Sequence, residues 1–130
     1  VLEIWTCIDY FRILIIDSIG ILNKIYRFAE ITYIGGGFGK GIHNILEPAS
    51  FNKPVIFGPR YTKFAEAVDL IHRGGAFSIK NENELTAVIA QLKNKSQYEK
   101  AANVCRDYIS EKTGATYEIM KYLEQYIFNQ

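Results

Sequence analysis

Residues 35–48 read GGGFGKGIHNILEP, and they lie between two short apolar runs, EITYI at 30–34 and PVIFGP at 54–59. This order predicts a strand, a glycine-rich turn, the start of a helix and a second strand. Glycines let the backbone approach a ligand closely, and a helix N-terminus offers unpaired N–H groups to an anion. Asn44 and Glu47 are three residues apart, so they share a helical face beside that anion site. The stretch therefore predicts a site for a phosphate and sugar hydroxyls, as in a nucleotide or nucleotide sugar.

The composition is that of one globular domain and excludes several classes of protein. The 130 residues are 48% apolar, and their net charge of +1, without a basic block, argues against a nucleic-acid surface. Cys7 and Cys105 lack metal or disulfide spacing, which favours a reducing compartment. No apolar run approaches the roughly 18 residues of a membrane span, and no signal peptide is visible. We expect the chain itself to be soluble.

Strands and helices alternate in the first two thirds of the chain and helices alone follow. The predicted strands are Arg12–Ile16, Ile31–Ile34, Val55–Phe57 and Ala76–Ile79. The predicted helices are Gly20–Ala29, about Asn44 to Phe51, Thr62–Arg73, two that open with Asn81-x-x-Glu84 and Ser96-x-x-Glu99, and Ala115–Ile127. This alternation predicts an α/β fold, a Rossmann-like parallel sheet with flanking helices, and four strands suggest the later part of a larger domain.

Helical spacing also predicts which side chains face the core. The first helix has Ile21, Leu22, Ile25 and Phe28 on its apolar face, and the helix from Asn81 has Leu85, Val88, Ile89 and Leu92. The next helix has Tyr98, Ala101, Ala102, Cys105 and Tyr108 directed inward, and the last has Ile119, Tyr122, Leu123, Tyr126 and Ile127. We expect all four faces to be covered.

Three loops are site candidates because ligands of open parallel sheets bind at the carboxyl ends of the strands. They are Asp17–Gly20, Gly35–His43 and Gly58–Lys63. Asn44 and Glu47 fit a ligand site and a helix-capping box equally well, and Pro48 makes the helix register hard to fix. His43 can contact a phosphate or a sugar, and Ser18, Lys40, Arg60 and Lys63 are weaker candidates that also fit ordinary surface positions. No catalytic triad, Cys-His pair or metal-ligand pattern appears.

Three motifs together are more specific than any one of them. DSIGIL at 17–22, YIGGGFGKGIHNILEPA at 33–49 and PVIFGP at 54–59 follow one another with tight spacing. This combination resembles the C-terminal domain of the 3-deoxy-D-manno-octulosonic acid (Kdo) transferases, over roughly Ile13 to Ile79. Residues 12–130 are accordingly interpreted as a partial nucleotide-sugar-binding domain. Residues 1–11 do not match and are interpreted as an irregular lead-in, either linker or sequence added in cloning.

The resemblance implies a GT-B glycosyltransferase whose N-terminal domain lies outside this chain. Such an enzyme transfers Kdo from CMP-Kdo to a lipid A precursor in lipopolysaccharide synthesis, without a metal or other cofactor, at the cytoplasmic face of the bacterial inner membrane. Its partners are the donor, the acceptor, its own N-terminal domain and the membrane surface, with no nucleic acid. The family's catalytic Glu belongs to the missing domain, so no catalytic residue is expected here and the chain alone is predicted to be inactive.

The donor-binding residues are carried over from the family by motif. They are the turn Ile19, Gly20 and Ile21, the loop residues Gly36, Gly37 and His43, and the helix start Asn44, Ile45, Leu46 and Glu47. Ile21 stands where the family commonly has Glu, so only a backbone contact would survive there. The alternatives are a GT-B glycosyltransferase or epimerase that uses a UDP-sugar, and a non-catalytic nucleotide-binding module.

Overall fold

The computed structural model of the chain describes residues 13–127. In chain order its elements are α1 Leu22–Ile25, a 3₁₀ turn Tyr26–Phe28, β1 Thr32–Ile34, α2 Leu46–Ser50, β2 Val55–Phe57, α3 Ala65–Arg73, β3 Ala76–Ser78, α4 Glu82–Lys93, α5 Lys95–Lys112 and α6 Ala115–Ile127. The predicted alternation of strands and helices is confirmed, followed by the predicted group of three helices.

A parallel sheet in the order β1-β2-β3 forms the centre of the domain. Every residue of β2 is buried because it lies between two strands and is covered on both faces. On one face, Val55 and Phe57 pack with Leu70 of α3 and Cys105 of α5. On the other face, Ile56 packs with Ile79, Leu92 and Ala101. The Rossmann-like parallel sheet with flanking helices is therefore confirmed.

The predicted first strand is wrong as far as it can be compared. Arg12 lies outside the described residues, and Ile13–Ile16 form no strand. Ile13, Leu14 and Ile15 are 78–84% exposed. An apolar run becomes a buried strand only when it pairs with a neighbour and is covered on its faces, and residues 13–16 do neither within the described part of the chain. The sheet of residues 13–127 consequently has three strands instead of four.

The first helix is shorter than predicted, and its buried face differs. The α-helix ends at Ile25 and the chain continues as a 3₁₀ turn, which has about 3.0 residues per turn instead of 3.6. This change of pitch rotates the following side chains. As a result Tyr26 is buried, whereas Phe28, which was expected in the core, is exposed. Leu22, at the start of the helix and also expected in the core, is exposed as well.

The start of α4 was predicted correctly and that of α5 was not. Asn81 caps α4, since its Oδ1 accepts the N–H of Glu84 at 3.0 Å. The Glu84 carboxylate accepts the N–H of Lys80 at 2.8 Å. For α5 the cap is Asn94, whose Oδ1 accepts the N–H of Gln97 at 3.2 Å, so the expected cap Ser96 is wrong. Asn94 alone separates α4 from α5, so the cap must precede Lys95.

The predicted inner faces of α4 and α5 are confirmed, but that of α6 is not. Leu92, Ala101, Cys105 and Tyr108 are buried, and the other predicted residues of those two helices are partly buried. The last helix has the predicted bounds, yet four of its five predicted core residues are exposed: Ile119, Tyr122, Tyr126 and Ile127. No described element covers this face.

Cys105 is a packing residue of the core. Burial raises the pKa of its thiol to about 12, and the S–H lies 3.3 Å from the carbonyl oxygen of Gly75, to which it can donate. A thiol with so high a pKa carries little thiolate and reacts slowly at neutral pH. Cys7 lies outside the described residues.

Candidate functional site

A cleft of about 500 Å³ lies along the outer edge of the sheet and reaches the carboxyl end of β1. One wall comes from α1 and the 3₁₀ turn, through Leu22, Ile25, Tyr26 and Ala29. The other comes from β1 and the segment that leads into α2, through Thr32, Tyr33, Ile34, Gly35, His43, Asn44 and Glu47. The structure therefore brings three predicted site residues, His43, Asn44 and Glu47, to one wall of one cleft.

Asn44 holds Glu47 in place through its side-chain amide. The Nδ2 of Asn44 donates to Oε1 of Glu47 at 2.9 Å, and the N–H of Leu46 donates to Oδ1 of Asn44 at 3.0 Å. Asn44 thus satisfies the first N–H of α2 and orients the carboxylate, but Glu47 contacts the Asn44 side chain and not its backbone. The reciprocal capping box is therefore absent, and the second carboxylate oxygen of Glu47 accepts no hydrogen bond from the described residues.

The register of α2 explains why Pro48 is compatible with a helix at this point. Ile45 is the N-cap, so Pro48 is the third helical residue. The first four N–H groups of a helix have no partner within it, and a proline there removes no helical hydrogen bond. Because α2 has only five residues, its dipole is small, and the predicted anion site at this helix start rests on few aligned peptides.

Tyr26 is the buried aromatic residue of the opposite wall. Its side chain is 8% exposed, and its ring centroid lies 6.3 Å from that of Phe51. Burial raises the pKa of the Tyr26 hydroxyl, and the negative charge of Glu47 raises it further. The hydroxyl is consequently protonated at neutral pH and lies within electrostatic range of the Glu47 carboxylate.

The glycine loop is closed by contacts within the protein. The carbonyl oxygen of Gly36 accepts the N–H groups of Gly39 and Gly41, and that of Gly35 accepts the N–H of His43. Gly36 has a φ of 88°, and an added Cβ there would overlap the carbonyl oxygen of Gly41. The glycines of the predicted phosphate loop are thus required by the packing of the loop itself, and neither Gly36 nor Gly37 lines the cleft.

Arg60 fixes the glycine loop to the segment that follows β2. Its Nη1 donates to the carbonyl oxygen of Gly39 at 2.7 Å, and its backbone N–H donates to that of Gly37 at 2.9 Å. Gly37 also lies so close to Gly58 that an added Cβ would be 2.5 Å from the Gly58 nitrogen. Arg60 was a candidate for binding an anionic substrate, and its guanidinium is bonded to the carbonyl oxygen of Gly39 instead. Lys40 and Lys63 are exposed and lie outside the lining of the cleft.

The remaining candidates lie at other places. Ser18, Ile19, Gly20 and Ile21 form the turn before α1 and do not line the cleft, although Leu22 directly after them does. Ile45 is 1% exposed and packs in the core, so only its backbone can contact a ligand. The side chain of Leu46 lines a second groove, of about 420 Å³, between α3 and α5.

Sequence reasoning missed Tyr26 and Tyr33 as cleft residues. Tyr33 alternates with the buried Thr32 and Ile34 along β1, so its exposure was predictable from the period of a strand. Tyr26 was not predictable in this way, since its burial depends on the change from α-helix to 3₁₀ turn at Ile25.

Residues 13–127 contain neither a metal-ligand cluster nor a membrane-spanning helix. No three His, Cys, Asp or Glu side chains in this part of the chain are close enough together to hold a metal ion. Over the same residues, no helix is both long enough and apolar enough to cross a membrane.

Comparison with known proteins identifies relatives over most of the chain, although no family model matches it. The chain is 37% identical over 82 residues to the 3-deoxy-D-manno-octulosonic acid transferase of Aquifex aeolicus, covering 62% of this chain and 23% of that protein. It is 30% identical over 114 residues to the enzyme of the same name from Chlamydia trachomatis serovar D, covering 83% of this chain and 26% of that protein. The chain thus spans about a quarter of the length of these relatives.

A solved structure supports the same relationship. The C-terminal CMP-Kdo binding domain of WaaA from Acinetobacter baumannii superimposes with a TM-score of 0.64 and 28% identity, over 72% of this chain and 51% of that one. The chain is therefore related to the Kdo transferases over most of its length, and it has the Rossmann-like fold of the C-terminal domain of these GT-B glycosyltransferases.

Proposed function

We propose that this chain is the donor-binding domain of a Kdo transferase and that its cleft binds the CMP part of CMP-Kdo. The relatives carry the name of that enzyme, and the structural neighbour is a CMP-Kdo binding domain. In open parallel sheets, ligands occupy the crevice at the carboxyl ends of the strands, which is where the cleft reaches β1.

The observation that carries the proposal is the oriented carboxylate of Glu47. Asn44 occupies one of its oxygens and fixes the side chain on the cleft wall, leaving the other oxygen to accept a hydrogen bond. A carboxylate has only acceptors, so a sugar hydroxyl is a suitable partner for it and a phosphate is not. We assign the ribose to Glu47 and the phosphate to the neighbourhood of His43, which lies on the same wall of the cleft.

The chemistry of the whole protein is proposed from the same relationship. Transfer of Kdo to a lipid A precursor requires stabilisation of the departing CMP phosphate and a base that activates the acceptor hydroxyl. Donors at His43 and at the start of α2 would supply the first, and the base would come from the part of the relatives that this chain does not span. We place the reaction at the cytoplasmic face of the inner membrane, without a metal, and expect residues 1–130 alone to bind donor but not transfer it.

Titration calorimetry of the full-length protein with nucleotides tests the proposal. CMP should bind, UMP should bind at least about tenfold more weakly, and Glu47→Gln should weaken CMP without changing the unfolding midpoint. Asp69→Asn, which changes a carboxylate lining the second groove, is the matched control and should leave the CMP affinity unchanged. Tighter binding of UMP than of CMP would favour a UDP-sugar enzyme, and binding of neither would refute the proposal.

A further inference from the structure

We infer that Tyr26 is a further ligand-contacting residue of this cleft, and that its hydroxyl donates a hydrogen bond to a ribose hydroxyl that Glu47 also holds. The inference deepens the proposed function and rests on it. It is carried by the position of Tyr26 on the wall opposite Glu47, by its burial, and by the unoccupied hydrogen-bonding capacity of both side chains.

The hydroxyl of Tyr26 is accessible although its ring is not. The residue is 8% exposed, and Phe51 packs against the ring with an interplanar angle of 41°. Among residues 13–127, no hydrogen bond reaches the Tyr26 hydroxyl, yet no buried side-chain polar atom there lacks a partner. Within the described part of the chain, the Tyr26 oxygen is therefore free to bond to a ligand, and the cleft that the residue lines is the space available to it.

The two side chains have complementary capacities. Glu47 retains one carboxylate oxygen that can only accept, because Asn44 bonds to the other. Burial and the charge of Glu47 raise the pKa of the Tyr26 hydroxyl, which keeps its proton for donation. A sugar hydroxyl can donate its proton to the Glu47 carboxylate and, through the same oxygen, accept the proton of the Tyr26 hydroxyl. A phosphate cannot, since it has no proton to donate to Glu47 and is repelled by its charge.

The rigid placement of Tyr26 makes this contact selective. The ring is held between the 3₁₀ turn and Phe51, so the hydroxyl is oriented before a ligand arrives and little side-chain freedom is lost on binding. Tyr33, which lines the same cleft but is half exposed, has no such support. The pair Tyr26 and Glu47 would therefore distinguish a ribonucleotide from its deoxy counterpart, and Tyr33 would not.

The test compares CMP with 2′-deoxy-CMP and 3′-deoxy-CMP on Tyr26→Phe in the full-length protein. We expect Tyr26→Phe to weaken CMP about three- to tenfold, the effect of one neutral hydrogen bond. One of the two deoxy analogues should bind the wild type and Tyr26→Phe equally, because it lacks the hydroxyl in question. Tyr98→Phe, which changes a partly buried tyrosine of α5 outside the cleft, is the control and should bind all three nucleotides like the wild type.

Three results would overturn the inference. They are an unchanged CMP affinity in Tyr26→Phe, an equal weakening of CMP and both deoxy analogues, and the same effect in Tyr98→Phe. Equal weakening would indicate a structural role, which the unfolding midpoint of Tyr26→Phe in urea would register. If the wild type binds no CMP, the proposed function fails and this inference with it, whereas a wild type that binds CMP leaves the proposed function in place whatever Tyr26 does.

Discussion

The two halves of the stretch from Gly35 to Glu47 differ in what their residues contact. Residues 35–41 bond to one another and to the segment after β2, and their glycines are required by close backbone packing. Residues 43–47 direct three polar side chains into the cleft. The stretch thus combines two tasks, close packing of the loop and contact with the cleft. The glycines, which first suggested a phosphate site, serve the packing.

The difference changes what a substitution in each half should do. A change in the first half should alter the free energy of unfolding, and a change in the second should alter ligand affinity. Measuring both quantities on variants of the full-length protein therefore separates the two halves.

The largest effect is expected for Gly37→Ala. Its Cβ would lie 2.5 Å from the nitrogen and 2.7 Å from the Cα of Gly58, so the loop or the end of β2 must move. Overpacking of this kind costs about 1–3 kcal/mol or more, measured as a loss of unfolding free energy in urea. Gly39→Ala is the matched control, since its Cβ would meet only the carbonyl oxygen of Gly36 at 3.5 Å. Equal stability of the two variants would show that the approach to Gly58 is not required.

Glu47→Ala should act on affinity and not on stability. Loss of a ligand-binding carboxylate should weaken CMP by about 1–3 kcal/mol, the cost of leaving a polar partner unsatisfied. Since Glu47 is exposed and the first N–H of α2 donates to Asn44, the unfolding free energy should change by less than about 0.5 kcal/mol. A lower stability with unchanged CMP affinity would assign Glu47 to the helix alone.

Arg60→Ala should lower stability by about 1 kcal/mol, because an exposed charged hydrogen bond to Gly39 is lost. The measurement is urea unfolding, with Lys63→Ala as the control, because Lys63 is an exposed cation of the same loop region. A change in CMP affinity that exceeds the change in stability would return Arg60 to the ligand site.

Lys40→Ala should have the smallest effect. Lys40 is exposed on the glycine loop and lies outside the cleft lining, so its removal should cost less than about 1 kcal/mol of CMP affinity. Calorimetric titration at low and moderate salt checks this. Abolished binding in Lys40→Ala would show that the phosphate is held by a lysine and that the loop approaches the ligand after all.

The sequence correctly predicted those elements whose apolar pattern is matched by neighbouring elements that cover them. Val55–Phe57 and Ile13–Ile16 are both continuous apolar runs, but only the first has a strand on each side and helices above and below. Whether a segment is buried depends on the elements that pack around it, and the sequence of the segment alone does not contain that information. The same holds for α6, whose bounds were predicted correctly but whose predicted core face is exposed, since no described element covers it.

The sequence predicted where the candidate site lies better than it predicted what each of its residues does. The spacing of Asn44 and Glu47 correctly placed them together, but a cap and a ligand site have the same spacing. The bond from Asn44 Nδ2 to the Glu47 carboxylate excludes the reciprocal capping box and leaves the ligand role a prediction. The start of α5 was also ambiguous, because Asn94-x-x-Gln97 and Ser96-x-x-Glu99 both fit a helix start, and the structure uses the first. Tyr26 lines the cleft because the chain forms a 3₁₀ turn there, and the spacing of apolar residues in the sequence did not predict that turn.

The most direct test of the division within residues 35–47 is nuclear magnetic resonance of the ¹⁵N-labelled chain during titration with CMP. The account predicts that the largest shifts fall on the Nδ2 amide of Asn44 and on the backbone amides of His43 and Glu47. The amides of Gly39 and Gly41, which are bonded within the loop, should move much less. Largest shifts on Gly39 and Gly41, with the Asn44 side chain unmoved, would contradict the account and return the ligand to the glycine loop.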